Sequence, residues 1–223
     1  MLLNRYEPIS SHLIYVVSCL ARNPVVAWAA GEAPGATSHR GPLIVVANHN
    51  SHMDVFALLS LFSLRQQGYV HPVAAADYFL RNKWMGWFAI NILNIVPVTR
   101  KGGEANPLTR CEQALRDNKI LIFFPEGTRG EPGILSPLKS GIWHLSQRVP
   151  EASVVPVWLC GTERIMAKGN RIPLPLFIDV TIGDALHSHP EKKQFMDDLR
   201  HRLLELQQQT SGNITHASPS HAE

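Results

Sequence analysis

The sequence predicts one α/β domain built on a largely parallel mixed sheet flanked by helices, with a short helical segment ahead of it. Short β-branched apolar runs alternate with segments of helical periodicity along most of the chain. Those runs are continuous, as in strands buried on both faces, instead of alternating apolar with polar residues. At 223 residues the chain can support one sizeable core but hardly two.

Composition narrows the class further. With 45% hydrophobic and 17% charged residues, the chain is neither a disordered polymer nor a polytopic membrane protein. The formal charge of +3, with eleven histidines counted as neutral, suits an anionic surface or substrate and is too weak to argue for nucleic acid. Three cysteines, Cys19, Cys111 and Cys160, are widely separated, without the paired spacing of a disulfide framework or zinc site. A reducing cytosol is the simplest compartment, so Asn213-Ile214-Thr215 does not read as a glycosylation site.

The elements follow in order. Residues 1–40 form the N-terminal segment and its loop. Leu13 to Leu20 and Val25 to Ala30 are apolar but are broken by Arg22, Asn23 and Pro24, so neither reaches the ~20 residues of a membrane-spanning helix. No signal-peptide pattern is present. The pair can form a helical hairpin dipping into one leaflet or a core-packing helix. Gly31 to Gly41 is loop, and the domain proper is expected over residues 41–209. Leu43 to Ala47 reads as a buried strand ending at Asn48-His49-Asn50-Ser51. A helix follows, with Val55, Leu58, Leu59 and Phe62 as its stripe and Asn50 or Ser51 as its N-cap. Val70 to Ala76 predicts a strand, Tyr78 to Ile90 a helix, Leu93 to Val98 a strand, and Pro107 to Arg116 a helix opened by proline. Ile120 to Phe124 is the most strand-like run. Ser140 to Gln147 reads as helix, Val154 to Leu159 and Leu176 to Ile182 as strands. The last amphipathic helix opens at Ser188-His189-Pro190 and carries Phe195, Leu199, Leu203 and Leu206. Residues 210–223 are polar and aperiodic, and a disordered tail is expected there.

Two loops carry the chemistry, and both follow strands at their carboxyl ends, where open α/β sheets bind ligands. In the first, His49 and Asp54 would lie roughly 140° apart on a continuous helix and could not meet. They can meet if His49 stays in the loop and Asp54 enters the first helical turn, a position the helix dipole favours for a carboxylate. A carboxylate on one ring nitrogen fixes the tautomer and leaves the other to take a proton. In the second loop, Phe124-Pro125-Glu126-Gly127-Thr128-Arg129 packs an acid, a glycine and a base into one turn. Gly127 allows close backbone approach, Arg129 offers a fork suited to phosphate oxygens, and Glu126 could accept hydrogen bonds from a polyol. Taken singly, each has a bland reading: a solvated histidine beside a capping aspartate, and a surface turn with a local ion pair.

Together these blocks resemble the glycerophospholipid acyltransferase family, which includes bacterial 1-acyl-glycerol-3-phosphate acyltransferases. NHxxxxD stands as Asn48 to Asp54, and FPEGTR is complete as Phe124 to Arg129. An apolar run closing on arginine, Asn94 to Arg100, resembles the second block, and Val154-Val155-Pro156-Val157 the fourth. Thr99 stands where the family often has a more polar residue. The resemblance implies that His49 deprotonates an acceptor hydroxyl with Asp54 orienting it. It implies that Arg100 and Arg129 hold the acceptor's phosphate, while Glu126, Gly127 and Thr128 shape its pocket. It implies an acyl-CoA or acyl carrier protein donor, no cofactor, and a lysophospholipid acceptor, with 1-acyl-glycerol-3-phosphate first and an ornithine lipid precursor as an alternative. A peripheral or monotopic enzyme at the cytoplasmic face of the inner or plasma membrane follows from the same likeness.

Other functional classes lack their motifs. His49, His52 and Asp54 give HxxHxD, not the HxHxD of lactamase-type metallo-hydrolases, and His71 and His144 offer no partner set, so no metal is expected. No GxSxG elbow supports a serine hydrolase. An inactive lipid-binding module would not need the intact dyad and arginines. Lys83 to Phe88, with two tryptophans, reads as core packing, though an interfacial role fits the composition. Lys139 lies close enough in sequence to reach a phosphate but reads as a solvated lysine.

Overall fold

The computed structural model describes residues 26–28, 41–76, 90, 93–98, 106–165 and 178–216. Among these, a seven-stranded sheet has the order β1-β7-β6-β2-β5-β3-β4. Its strands are β1 (Val26–Trp28), β2 (Leu43–Ala47), β3 (Val70–Ala75), β4 (Val96–Val98), β5 (Ile120–Phe123), β6 (Ser153–Cys160) and β7 (Ile178–Ile182). Strands β2 to β6 run parallel to one another; β7 is antiparallel to β6, and β1 is parallel to β7. The largely parallel mixed sheet is therefore as the sequence predicts.

Strand β2 shows why. All five of its residues are fully buried, as a continuous apolar run requires of a central parallel strand. Leu43, Val45 and Ala47 face one layer, against Ala57, Leu58 and Phe62 of the segment that begins with α1 (Met53–Leu59). Ile44 and Val46 face the other layer. There they meet α3 (Thr109–Arg116), α4 (Gly141–Arg148) and α6 (Lys192–His216) through Cys111, Leu115, Ile142, Leu145, Phe195, Leu199 and Leu203. Two short helices complete the described set, α2 (Leu64–Gln67) and α5 (Thr162–Ile165). Fully burying each Leu or Phe side chain is worth about 1.5–3 kcal/mol, so the stripe on α6 is what docks that helix.

Three sequence expectations change. Val26–Trp28, expected within a helical piece, is an edge strand in register with Ile178 to Val180; a short apolar run beside an open sheet edge gains ladder hydrogen bonds and cross-strand packing, whereas an isolated short helix is marginal. Helix α1 is not capped by an Asn50 or Ser51 side chain in the ordinary way. His52 occupies the cap position, the Ser51 hydroxyl accepts only from Met53 N–H at 3.2 Å, and Asp54 reaches backward to the loop amides. The boundary expected at Gln209 falls inside α6, which continues to His216. Thr210 is buried there, donates to the Leu206 carbonyl at 2.8 Å and meets the Thr181 hydroxyl at 2.7 Å. Its partner lies on a distant strand, so local sequence shows only a polar residue. The helix expected over Tyr78 to Ile90 falls almost wholly outside the described residues, as do the Lys83 to Phe88 segment, the apolar stretch Leu13 to Leu20, Arg100 and residues 217–223.

Candidate active site

Strands β2 and β5 are adjacent and parallel, with Val46 opposite Phe123. Their following loops therefore leave the same end of the sheet side by side, and β6 brings Leu159 to the other flank of β2. Asn48 closes this end. Its Nδ2 donates to the Leu159 carbonyl at 2.9 Å and its Oδ1 accepts from Leu159 N–H at 2.7 Å, all buried. The side chain thus continues the β2–β6 ladder one residue past the strand and aims the chain at His49.

His49 Nδ1 lies 2.9 Å from Asp54 Oδ2. That same oxygen accepts the backbone N–H of Asn50 at 2.7 Å and of Ser51 at 2.8 Å. Asp54 is wholly buried, whereas the His49 side chain remains about a fifth exposed. Two backbone N–H groups donate to this oxygen and fix the carboxylate in place, and an oxygen acting as acceptor there puts the ring hydrogen on Nδ1. Nε2 is then the nitrogen left to take a proton. Asp54 Oδ1 is buried without a hydrogen-bond partner. The ring itself is clamped by Phe124, stacked at a centroid distance of 4.2 Å and an interplanar angle of 26°.

The second loop is locked to the first through Glu126, which is only 3% exposed. Its Oε1 accepts His49 N–H at 2.8 Å, and its Oε2 accepts Ser136 N–H at 3.0 Å. Gly130 N–H donates to the His49 carbonyl at 2.9 Å. The backbone of His49 is therefore held on both sides by the turn after β5. Charge-assisted bonds to backbone amides are the stronger kind, so this carboxylate is a structural staple between the two loops. Gly130 leaves room for it: a Cβ there would sit 2.8 Å from Ser136 Oγ and 3.0 Å from Glu126 Oε2, so a larger residue would have to displace the staple's own side chains.

Gly127 adopts φ +71, in the left-handed region that glycine tolerates, and the Lys139 side chain crosses it so closely that a Cβ would lie 2.5 Å from Nζ. Thr128 and Arg129 are exposed. Arg129 Nη1 donates to His52 Nε2 at 2.7 Å. Partial burial of the His52 ring lowers its pKa below the ordinary 6.5, with Arg129 and His49 adding to the effect and Asp54 opposing it. Among the described residues, no group of three His, Cys, Asp or Glu side chains is placed to hold a metal ion.

The structure thus joins His49 to Asp54 and brings Glu126, Gly127, Thr128 and Arg129 beside them. Arg100 lies outside the described residues. Sequence reasoning gave no role to Asn48, Phe124, Gly130 or Ser136. The first two stand inside the quoted blocks and Gly130 directly follows one, but pairings across 77 and 111 residues leave no local signal.

Comparison with known proteins identifies the family. Residues 32–160 match the Acyltransferase family. A chloroplastic 1-acyl-sn-glycerol-3-phosphate acyltransferase BAT2 of Brassica napus is 32% identical over 136 residues, which cover 58% of this chain and 36% of that protein. A 1-acyl-sn-glycerol-3-phosphate acyltransferase of Chlamydomonas reinhardtii is 25% identical over 185 residues, covering 80% of this chain and 52% of that protein. The match therefore spans between about a third and a half of these relatives' lengths. The crystal structure of the 1-acyl-sn-glycerophosphate (LPA) acyltransferase PlsC from Thermotoga maritima superposes with a TM-score of 0.68 at 18% identity, over 93% of this chain and 83% of that one. The matched span contains β2, β5, both chemistry-bearing loops and the whole of β6; the chain belongs to the Acyltransferase family.

Proposed function

We propose that the protein is an O-acyltransferase that moves a fatty acyl group from a thioester donor to the free hydroxyl of 1-acyl-glycerol-3-phosphate. The observation that carries this reading is the His49–Asp54 pair, at 2.9 Å, held beside the arginine-bearing turn by Glu126. His49 Nε2 takes the proton of the acceptor hydroxyl as its oxygen attacks the thioester carbonyl. The tetrahedral intermediate collapses with cleavage of the carbon–sulfur bond, and the imidazolium returns the proton to the departing thiolate. Asp54, buried and bonded to Nδ1, stabilises the imidazolium between these steps. A thioester is reactive enough that no protein nucleophile is needed, and holding acceptor and base together supplies much of the acceleration.

Arg129 grips the acceptor's phosphate, and Arg100 is assigned to the same task from its sequence block. Glu126 shapes the pocket through the backbone it staples, with Gly127 and Thr128 forming the turn it anchors. The relatives are named for 1-acyl-sn-glycerol-3-phosphate, which supports this acceptor over an ornithine lipid precursor. No described helix is long and apolar enough to cross a membrane. A lipid acceptor of this kind places the working enzyme at a membrane surface, peripherally or monotopically, on the cytoplasmic side where acyl-CoA and acyl carrier protein occur. The test is an acyl-transfer screen of the purified protein in detergent, with several lysolipids and both donor types. Product from 1-acyl-glycerol-3-phosphate supports the proposal; hydrolysis without transfer, or no reaction with any lysolipid, refutes it.

A further inference from the structure

Arg129 belongs to the turn after β5, yet its guanidinium is tied to the loop that carries the base. Nη1 donates to His52 Nε2 across 2.7 Å, linking positions 77 residues apart. The backbone bonds through Glu126 and Gly130 already join these loops. The His52–Arg129 bond is a separate, side-chain link at their exposed rim. A free arginine at such a position would sample many rotamers, and the ring selects among them. Arginine has donors only, so the bond exists only while Nε2 carries a lone pair, which means a neutral ring with its hydrogen on Nδ1.

We infer that His52 is the positioning residue for Arg129: its neutral ring holds the guanidinium at the rim beside His49, and capture of the acceptor's phosphate weakens when that ring is protonated. The inference deepens, and rests on, the assignment of Arg129 to the phosphate of 1-acyl-glycerol-3-phosphate. Two cations cannot keep the hydrogen bond, so protonation frees the arginine to disperse into solvent. Among the described residues, the charged and titratable groups acting on the ring are Arg129 from the facing turn and His49 and Asp54 from its own segment. Burial, Arg129 and His49 favour the neutral ring and Asp54 opposes them, with a net downward shift that keeps the link formed at neutral pH.

The test measures KM for 1-acyl-glycerol-3-phosphate and kcat of the full chain in detergent, over about pH 5.5 to 8, the range in which histidine titrates. His52→Ala removes the acceptor atom; His52→Gln replaces Nε2 with an amide oxygen that accepts but does not titrate. His52→Ala is expected to raise KM roughly three- to tenfold at neutral pH, the worth of one partly exposed charge-assisted bond, with kcat changed far less. His52→Gln should recover most of that affinity. On acidification the wild-type KM should rise relative to that of His52→Gln. The phosphate's own second ionisation, near pKa ~6, moves both proteins alike and cancels in the ratio. An unchanged KM in His52→Ala, or a wild-type KM that falls relative to His52→Gln at low pH, overturns the inference; the latter would mean that protonated His52 binds phosphate itself. Titrating the His52 ring by NMR with and without Arg129→Ala gives a readout without turnover. Removal of the guanidinium should raise the ring's pKa, and identical titration curves would contradict the coupling. If the wild type fails to acylate this acceptor, the functional proposal falls while the NMR comparison still decides whether ring and guanidinium are coupled.

Discussion

Asp54 accepts two backbone amides and the His49 ring on one oxygen, so its replacement separates two roles. Asp54→Asn keeps the size but presents an amide that need not hold the same ring tautomer. It should lower kcat by about 10²- to 10⁴-fold, in line with the loss of general-base action, while circular dichroism and acceptor binding change little. Retained turnover would mean that His49 needs no orienting carboxylate. Arg129→Ala should raise KM for 1-acyl-glycerol-3-phosphate by roughly tenfold or more, the worth of a charge-assisted contact, and should leave a phosphate-free monoacylglycerol little affected. Equal losses on the two acceptors would contradict its role. The His49–Asp54 contact was legible in sequence because a strand end and capping residues break the helix between them. The engagement of Glu126 was not: a carboxylate in a turn looks the same whether it faces a ligand or two backbone amides.

Elements set where those residues stand. Strand β2 was readable at once, since an unbroken run of buried aliphatics has one comfortable place, the middle of a parallel sheet. Element ends were less legible because they depend on partners elsewhere. Asn48 extends β2 by pairing with Leu159, and Thr210 sustains α6 by pairing with Thr181. The Asn48 bonds are buried and both involve the backbone of β6. Asn48→Ala should therefore destabilise the fold by about 1–3 kcal/mol per unsatisfied group, measured by denaturant unfolding. It should also reduce activity beyond what that loss of folded protein explains, because His49 directly follows. A variant as stable and as active as the wild type would show that the clamp is idle.

At the scale of the whole molecule, the sheet order places all the chemistry at one end, while His71 reports on stability from the β3–β4 side. Its Nδ1–H donates to the Asn94 carbonyl at 2.9 Å, and its Nε2 is buried without a partner. Burial, first of all, holds its pKa below 6.5, with Lys119 adding to that and the Asn94 bond opposing it. The unfolded chain therefore binds more protons than the folded one between that lowered value and 6.5, and stability must rise with pH across this window. The contribution is fully present above 6.5 and is lost as pH falls through the folded-state value. Thermal unfolding of wild type and His71→Asn should diverge there, with the wild type losing more on acidification; parallel curves would show that His71 titrates freely in the folded protein. The fold class was visible in the sequence through its alternation of runs and periods. The edge strand β1 and the continuation of α6 were not, since both are fixed by contacts with distant strands.

The role of His49 as the base that activates the acceptor hydroxyl is tested most directly by one comparison. Acyl transfer from a long-chain acyl-CoA or acyl carrier protein to 1-acyl-glycerol-3-phosphate is measured for wild type and His49→Gln, with acceptor binding measured alongside. The expected result is a fall in kcat of about 10²-fold or more, with acceptor affinity within a few-fold of wild type. A His49→Gln protein that binds the acceptor and transfers the acyl group at a near wild-type rate would contradict the account.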